Sequence, residues 1–326
     1  MPERQTGNQV TQIGIETVSG TSVAANKRLK SIDITLNTAG EFTSFVPQGS
    51  RLATTVVPGR EWSSGSISGQ PVYDEIIYLL AITLGAPVTT TVLVTGKQHV
   101  FTLLNNGAAQ AAKTLTLEKG DSVNAGKATH MMAESLGFNI SRSEFSIDGD
   151  VMGQLYTDGV TLTATPTTFP QVPILPKDFS VYLDNTWAAL GTTKLVRNFG
   201  ATLNLSGLVA AVWPLNQANT SFATTVDTTE LDATLELRME ADAVGRAQLT
   251  ALRAGTTKYL RIEALGPVIA GGTAVNTFRI DAAVKFAEYV EFDDEDGIYV
   301  LPYAFRIVDD TNGPLVITVI NSTATL

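Results

Sequence analysis

The residues best suited to chemistry are six carboxylates near the end of the chain: Glu288, Glu291, Asp293, Asp294, Glu295 and Asp296. Gly297 follows them directly. A calcium loop of the EF-hand type needs an acidic ligand five positions before its glycine, and that position is Phe292. Glycosidases also use paired carboxylates, but in clefts lined by aromatic side chains. The chain has only three tryptophans, Trp62, Trp187 and Trp213. The acidic cluster therefore predicts either a solvated hairpin tip or a negatively charged surface that faces a molecule that must not adhere to it.

Nucleophilic and metal-dependent chemistry lacks the residues it needs. The chain has no cysteine, which excludes disulfides, thiolate metal sites and cysteine nucleophiles. His99 lies in an apolar strand pattern and His130 lies beside two methionines, so both are expected to be packing or surface residues. The glycine-flanked segment 65–69 has Ile67 where a nucleophile elbow requires serine. We predict no enzymatic activity, no metal site and no cofactor.

The composition is that of a chain with much apolar material and little charge. Its 326 residues are 44% hydrophobic and 17% charged, against a usual charged fraction of about 25%. Thr, Ser, Asn, Gly, small apolar residues or other copies of the chain must therefore cover much of the surface. The net charge of −10 disfavours tight binding to nucleic acid, which depends on Lys and Arg at the phosphates.

Targeting and membrane segments are not expected. The N-terminal sequence MPERQTGNQV has no apolar run after its charges, unlike a signal peptide. The longest apolar-rich run, around Ile76–Leu84, is shorter than the roughly 20 residues of a membrane span. The product is expected in the cytosol at synthesis.

Four prolines within the segment 166–176 mark the clearest boundary in the chain. Proline fixes φ and cannot donate to a sheet, so this segment predicts an extended and stiff linker. The predicted division is a first β domain at 1–165 with an N-terminal arm, the linker at 166–176, and a second β domain at 177–326 with a C-terminal segment.

Each half shows the same order of predicted elements. In the first, strands at 31–35 and 41–46 and the segment 61–69 precede a helix that starts near Pro71, with Asp74 and Glu75 in its first turn, and ends at Gly85. Strands at 99–104 and 114–118 and a long hairpin at 129–147 follow.

In the second half, strands at 179–183 and 194–205 come first, and residues 231–239 alternate between apolar and polar. A helix at 240–254 stops at Gly255, and a strand at 258–264 and a long hairpin at 277–308 follow.

Strands with one helix in each half predict a mainly β protein, made of two tandem β-sandwich or open-barrel domains, each with one flanking α-helix and a long hairpin. The alternative is a single large irregular β-domain. The long hairpins exceed ordinary strand lengths, so we expect them to pair with neighbouring copies.

Several segments resemble the tail tube, or major tail, proteins of long-tailed bacteriophages (siphophages). These segments are 56–62, 65–69, 114–121, 145–153, 169–176, 181–193, 212–216, 238–255 and 258–266. They span about residues 55–290, and their order and spacing carry the resemblance more than any single segment does. Many family members have one domain per chain, whereas this chain is expected to have two.

The resemblance implies tail-tube-like domains that close into rings, and rings that stack into a hollow tube. DNA would pass through this tube to the host without specific binding. Implied partners are other copies of the chain, a tape-measure protein, and tail terminator and tail tip proteins. The implied location is the virion tail, and the host cytoplasm during assembly.

If the tubes that the resemblance implies are built around six such domains per ring, two domains per chain imply trimeric rings with pseudo-sixfold symmetry, and hexameric rings are the alternative. Carboxylates on the lumen wall would let DNA slide, because fixed Lys or Arg side chains there would bind phosphates. The acidic cluster could equally lie on the outer surface or at a contact between rings. The terminal segments 1–27 and 314–326 are expected to reach between neighbours.

A carbohydrate-binding or adhesive β-module remains the alternative function, and a glycoside hydrolase is a third possibility. Within the structural class, the sequence does not separate a sheathless tail from a contractile one.

Overall fold

The computed structural model describes residues 6–104, 112–215, 220–228, 231–289, 291–311 and 313–326. The protein is mainly β, as predicted. The strands before the proline-rich segment are β1 Val10–Ile15, β2 Lys27–Leu29, β3 Ile32–Ile34, β4 Asn37–Phe45, β5 Thr55–Gly69, β6 Val88–Val92, β7 Gly96–Thr102, β8 Leu115–Gly120, β9 Ala125–Ile140 and β10 Phe145–Gly153.

The strands from the proline-rich segment onward are β11 Thr167–Thr168, β12 Phe179–Asp184, β13 Lys194–Leu195, β14 Asn198–Ser206, β15 Val209–Val212, β16 Thr224–Asp227, β17 Asp232–Glu240, β18 Lys258–Val268, β19 Val275–Tyr289, β20 Asp293–Glu295, β21 Ile298–Ile307 and β22 Leu315–Asn321. The α-helices are α1 Ile76–Leu84 and α2 Ala243–Ala254. Short 3-10 helices occupy Thr6–Asn8, Pro176–Asp178 and Trp187–Ala189.

Both predicted helices form and end at the predicted glycines. The Asp242 side chain caps α2 by accepting from the Gly245 N–H at 2.8 Å, and Gly255 ends the helix in the left-handed region at φ 61°. Helix α1 stops at Gly85, but all nine of its residues are buried. It is apolar on every side, so it lies inside the molecule, and only α2 has the exposed face of a flanking helix.

The first half of the chain has one continuous order of antiparallel strand pairs. Strand β5 pairs with β3 and β4 on one side and with β10 on the other. From β10 the pairing continues to β9, β8, β1 and β2.

The second half repeats this order. Strand β17 pairs with β14 on one side and β21 on the other, and pairing continues from β21 to β19, β18, β12 and β13. In each half an α-helix follows the strand at the equivalent position, β5 or β17. Some strands lie outside this shared order. They are β6 and β7 in the first half, and β15, β16, the short β20 and the final strand β22 in the second.

Hydrogen bonds and core packing join the two halves. Strand β14 pairs with β9, and β22 lies between β19 of the second half and β7 of the first. Phe138 of the first half contacts Phe278 of the second, and Phe145 contacts both Phe179 and Phe278, with ring centroids 5.3–5.9 Å apart. The division into separate domains and their sandwich form stay predictions.

The proline-rich segment 166–176 is packed against the first half. Strand β11 pairs in parallel with β2, and Pro173 forms an isolated bridge with Val72. Phe169 and Ile174 are buried. The segment lies against the chain just before α1, where the Tyr73 N–H donates to the Val172 carbonyl, and its role as a linker stays a prediction.

The two long hairpins are present as β9–β10 and β19–β21, although Val290 of the predicted 277–308 hairpin lies outside the described residues. Part of each terminal segment pairs within its own chain, and the expectation that these segments reach between neighbours stays a prediction. Strand β22 is buried inside its own sheet, and β1 lies between β2 and β8. The apolar run at 315–320 is covered by this chain because β7 and β19 offer it two adjacent sheet edges.

Candidate functional site

The acidic cluster lies along the second long hairpin. Glu288 is near the end of β19, Glu291 follows that strand, and Asp293–Glu295 forms β20, which pairs with β21. The chain reverses at Asp296 and Gly297, which both have positive φ, 54° and 78°. An Asp-Gly pair favours this kind of tight turn, so the sequence sets the position of the hairpin tip.

Two arginines from other parts of the chain contact this tip. Arg142 belongs to the turn between β9 and β10. Its guanidinium nitrogen Nη2 lies 2.9 Å from Glu295 Oε1 and 2.7 Å from Asp296 Oδ2. An Arg238 side-chain nitrogen, on β17, lies 2.5 Å from Asp293 Oδ2 and 3.2 Å from Glu295 Oε2. Part of the cluster is therefore neutralised within the subunit.

The other three carboxylates of the cluster have no ion pair among the described residues: Glu288, Glu291 and Asp294. All three are exposed, and Asp294 accepts a hydrogen bond from the Gly297 N–H at 3.2 Å. The predicted role as a lumen wall or contact surface stays a prediction. The structure restricts the unpaired negative charge to these three positions.

An open groove of about 770 Å³ lies beside the hairpin tips. Its walls include Arg142, Phe199, Glu236, Arg238 and Asp293. The Arg142 guanidinium carbon sits 5.4 Å from the Phe199 ring centre, within the range of a cation–π contact. The groove thus combines both signs of charge with one aromatic face.

Both histidines are buried, as packing residues would be. His99 Nδ1 is 2.9 Å from Thr89 Oγ1, and its Nε2 is 3.0 Å from the Thr323 carbonyl oxygen. His130 lies edge-on to Phe222, and its Nε2 is 3.2 Å from Thr225 Oγ1. Burial lowers the pKa of both imidazoles.

Sequence patterns did not identify a set of buried carboxylates. Glu75 accepts hydrogen bonds from the Lys30 and Ser31 backbone N–H groups, from Ser31 Oγ and from Gln171 Nε2. Asp74 accepts from Ser322 and Thr323 near the C-terminus. Sequence reasoning assigned both acids to the first turn of α1. They instead bind groups distant in sequence and fix the start of the helix in the core.

The β4–β5 hairpin is a second surface that sequence reasoning missed. No side chain is buried in β4 or in β5 up to Arg60. Several large apolar side chains on this hairpin are exposed: Phe42 at 70%, Phe45 at 65%, Val46 at 52%, Leu52 at 78%, Val56 at 57% and Val57 at 52%. The available signal was the spacing of these residues around Pro47 and Gly49, which predicts a hairpin turn.

The base of this hairpin is anchored by aromatic contacts. Trp62 meets Trp213 edge-to-face with ring centroids 5.8 Å apart, and the Arg60 guanidinium lies 5.1 Å from the Trp213 ring centre. The Glu61 N–H donates to the Thr220 carbonyl. The outer part of the hairpin has no such support from the rest of the subunit among the described residues.

In the described ranges, no group of three or more His, Asp or Glu side chains is arranged to hold a metal ion. No α-helix in this part of the chain is long and apolar enough to cross a membrane. A scan against protein-family models found no match, and a search of curated proteins found none either.

Proposed function

We propose that the protein is a structural virion subunit that assembles into stacked rings and forms the hollow tail tube that delivers phage DNA. The observation that carries this proposal is the projecting β4–β5 hairpin with its exposed apolar side chains. The repeated strand order of the two halves supports it.

The exposed apolar side chains of the β4–β5 hairpin would be unfavourable in a subunit that remains monomeric. Large exposed apolar patches on soluble proteins usually mark contact sites. Here apolar side chains such as Phe45 and Leu52 are exposed at the far end of a hairpin that leaves the core. A second copy that covers this end would remove them from water, as stacking of rings requires.

The repeated strand order supports two equivalent units per chain. Head-to-tail contacts between such units generate closed rings, and contacts that do not close generate filaments. Three chains would then supply six units per ring, with six chains per ring as the alternative. Tape-measure, terminator and tip proteins are the further partners that this function requires.

The charge of the chain fits a channel for DNA. With a net charge of −10 it repels phosphates, and Arg142 and Arg238 are bound to carboxylates of the hairpin tip. Arginines held in this way are less available to trap a passing duplex.

Electron microscopy of the concentrated protein at several salt concentrations tests the proposal. Striated hollow tubes are expected, and their end views give the number of chains per ring. The variant Phe45→Ser/Leu52→Ser should remain folded by circular dichroism but form no tubes. Val196→Ser, which changes an exposed apolar residue outside the hairpin, is the matched control. Tubes of normal length from the double variant would contradict the role given to the hairpin.

A carbohydrate-binding module is the second candidate, and one observation favours it. Phe292 and Tyr299 form an exposed edge-to-face pair, 50% and 72% exposed, beside the hairpin tip. Aromatic faces of this kind stack on sugars. Binding of monomeric protein on a glycan array, lost in Tyr299→Ala, would favour this function over tube formation.

A further inference from the structure

The β4–β5 hairpin and the β9–β10 turn lie at opposite ends of strand β5. The hairpin turn comes just before Thr55, where β5 begins, and the last residue of β5, Gly69, pairs with Ile147. Ile147 is the third residue of β10, so the β9–β10 turn lies beside this end of β5. The 15 residues of β5 span up to about 50 Å when extended, so the two turns are far apart in the subunit.

The tip of the second long hairpin, residues 291–299, lies beside the β9–β10 turn. Arg142 of that turn contacts Glu295 and Asp296. The β4–β5 hairpin and this second tip are therefore at opposite ends of the subunit. A contact between them has to be made by two copies of the chain.

One face of the second tip carries an exposed aromatic pair. Phe292 contacts Tyr299 edge-to-face, with ring centroids 6.0 Å apart. Asp294 lies on the same face, because it is directly opposite Tyr299 in the antiparallel pair of β20 and β21. Among the described residues, Asp294 has no ion pair. This face therefore combines two aromatic rings with a carboxylate that lacks a cation.

The β4–β5 hairpin carries the complementary groups at its far end. Phe45 and Leu52 are largely exposed there. Arg51, the neighbour of Leu52, has no ion pair in the described part of the chain. The segment 42–60 contains two arginines and neither Asp nor Glu. The end of the hairpin is therefore apolar and positively charged, whereas the second tip is aromatic and negatively charged.

The turn of the first long hairpin does not offer a similar surface. Residues 141–144 read Ser-Arg-Ser-Glu, without an apolar side chain. Arg142 in this turn would repel Arg51 of an approaching copy. Of the two long-hairpin tips, only the second combines exposed rings with a carboxylate that lacks a cation.

Another group of exposed apolar residues lies at the same end as the β4–β5 hairpin. Leu93 and Val94 are exposed in the β6–β7 turn, and Val268 is exposed at the end of β18. The two turns are adjacent, because the Ala274 side chain packs against Gly96. Strand β19 runs from this end to the second tip. A β4–β5 hairpin bound to this group would join like ends of two copies, and such a contact closes into a dimer.

We propose that the end of the β4–β5 hairpin of one copy docks on the second tip of a copy in the next ring. The apolar side chains of the hairpin cover the exposed aromatic pair, and Arg51 faces Asp294. The contact joins unlike surfaces, so it repeats from copy to copy along a tube. This inference rests on the proposed function, and it assigns part of the acidic cluster to a contact between rings.

A charge exchange tests the pairing of Arg51 with Asp294. Arg51→Glu and Asp294→Arg each place like charges at the contact, and each should raise the protein concentration needed for tubes at least about tenfold. The double variant Arg51→Glu/Asp294→Arg restores opposite charges and should return this concentration to within about threefold of wild type. The changed side chains are exposed, so the variants should remain folded by circular dichroism.

Arg253→Glu/Asp294→Arg is the matched control for the exchange. It has the same net charge as the exchanged variant, but Arg253 is an exposed residue in the last turn of α2. It should not restore tubes. Rescue by this control would show that total charge governs assembly, and it would overturn the inference.

Cross-linking tests the contact without relying on tubes, because the natural chain has no cysteine. Gln48→Cys with a size tag is mixed with untagged Glu291→Cys, and a short bifunctional maleimide is added. These exposed positions flank the proposed contact, so no contacting side chain is lost. Linked pairs of tagged and untagged chains are expected on a denaturing gel. Gln48→Cys mixed with Val94→Cys is the control and should give far fewer mixed pairs.

The outcomes separate the two proposals. Tubes that are unaffected by Arg51→Glu, or that the charge exchange does not rescue, would overturn the docking and leave tube formation standing. Mixed pairs of Gln48→Cys and Glu291→Cys without tubes would support the docking and overturn the tube. Preferred linkage to Val94→Cys would overturn the docking. Neither tubes nor mixed pairs would overturn both.

Discussion

Arg142 donates to Glu295 at 2.9 Å, and this bond joins the tips of the two long hairpins, which belong to opposite halves of the chain. The same guanidinium reaches Asp296. The two tips lie side by side because β14 and β17 connect β9 to β21 in one sheet. The ion pair therefore depends on this sheet, which holds the two hairpin tips next to each other.

We predict that Arg142→Gln lowers stability slightly at low salt and has no effect at high salt. The Arg142 side chain is half exposed, and ions screen such pairs strongly. Urea denaturation of wild type and variant in 20 mM and 1 M NaCl would measure this.

Arg197→Gln is the matched control for that experiment. It removes an exposed pair with Glu240 that lies within the second half. An Arg142→Gln effect that persists unchanged at high salt would show that the arginine acts through packing on Phe199.

The two halves should unfold in one cooperative transition. The Phe138–Phe278 contact, the β9–β14 ladder and the β22–β7 ladder all cross between them. Phe278→Ala removes a fully buried ring and should cost about 3–5 kcal/mol. The loss should be shared by both halves because they unfold together.

Tryptophan fluorescence can follow each half separately. Trp62 lies in β5 of the first half and Trp187 in the second half, so variants that keep Trp62 alone or Trp187 alone, with Trp213 replaced by Phe in both, give local probes. Their denaturation curves should coincide in wild type and in Phe278→Ala. Two separated transitions would show that the halves are independent domains.

Local patterns predicted the elements well. The alternation at 231–239 predicted β17 and its buried face, where Leu235, Leu237 and Met239 are at most 2% exposed. Gly255 predicted the end of α2, but the helix begins at Ala243, three residues after the predicted start at Glu240, which belongs to β17. Such signals arise from residues close together in sequence, so the sequence alone is enough to detect them.

The pairing of the strands and the contacts between distant residues were harder to predict from the sequence. Leu203 pairs with Phe138, yet the two are far apart in sequence and carry no shared local signal. One partner of Glu295 is Arg142, 153 residues away. The exposed apolar residues of β4–β5, such as Phe45, resemble core positions in sequence. Periodicity cannot distinguish burial in the subunit from exposure on a projecting hairpin.

Stability should fall as the pH is lowered from 7.5 to 5.5, because of the two histidines. Burial lowers the pKa of His99 and His130 in the folded chain, despite opposing effects of Asp74 on His99 and Glu16 on His130; Lys97 adds to the lowering at His99.

In the unfolded chain each histidine has a pKa of about 6.5. Below that pH the unfolded state binds protons that the folded state does not. Stability is therefore lost as pH falls, by up to about 1.4 kcal/mol per pH unit for each histidine.

The double variant His99→Gln/His130→Gln isolates this effect, because carboxylates titrate mainly at lower pH. Denaturation at pH 7.5, 6.5 and 5.5 should give a flatter slope for the double variant than for wild type. The slope is the readout, so a general loss of stability in the variant does not obscure it. Equal slopes would assign the pH dependence to other groups.

Glu75 should be among the most sensitive positions in the chain. It is fully buried, and its carboxylate accepts from two backbone N–H groups, the Ser31 hydroxyl and the Gln171 amide. Glu75→Ala leaves these donors buried without an acceptor, at about 1–3 kcal/mol for each unsatisfied group. We expect a loss of at least about 3 kcal/mol, or failure to fold.

Glu75→Gln keeps the shape of the side chain but replaces one acceptor oxygen with an NH₂ group that faces other donors. It should therefore recover only part of the loss. Glu41→Ala, on the exposed strand β4, is the control and should change stability by less than about 0.5 kcal/mol. Equal stability of Glu75→Ala and Glu41→Ala would mean that the segment at Lys30 and Ser31 is held by other contacts.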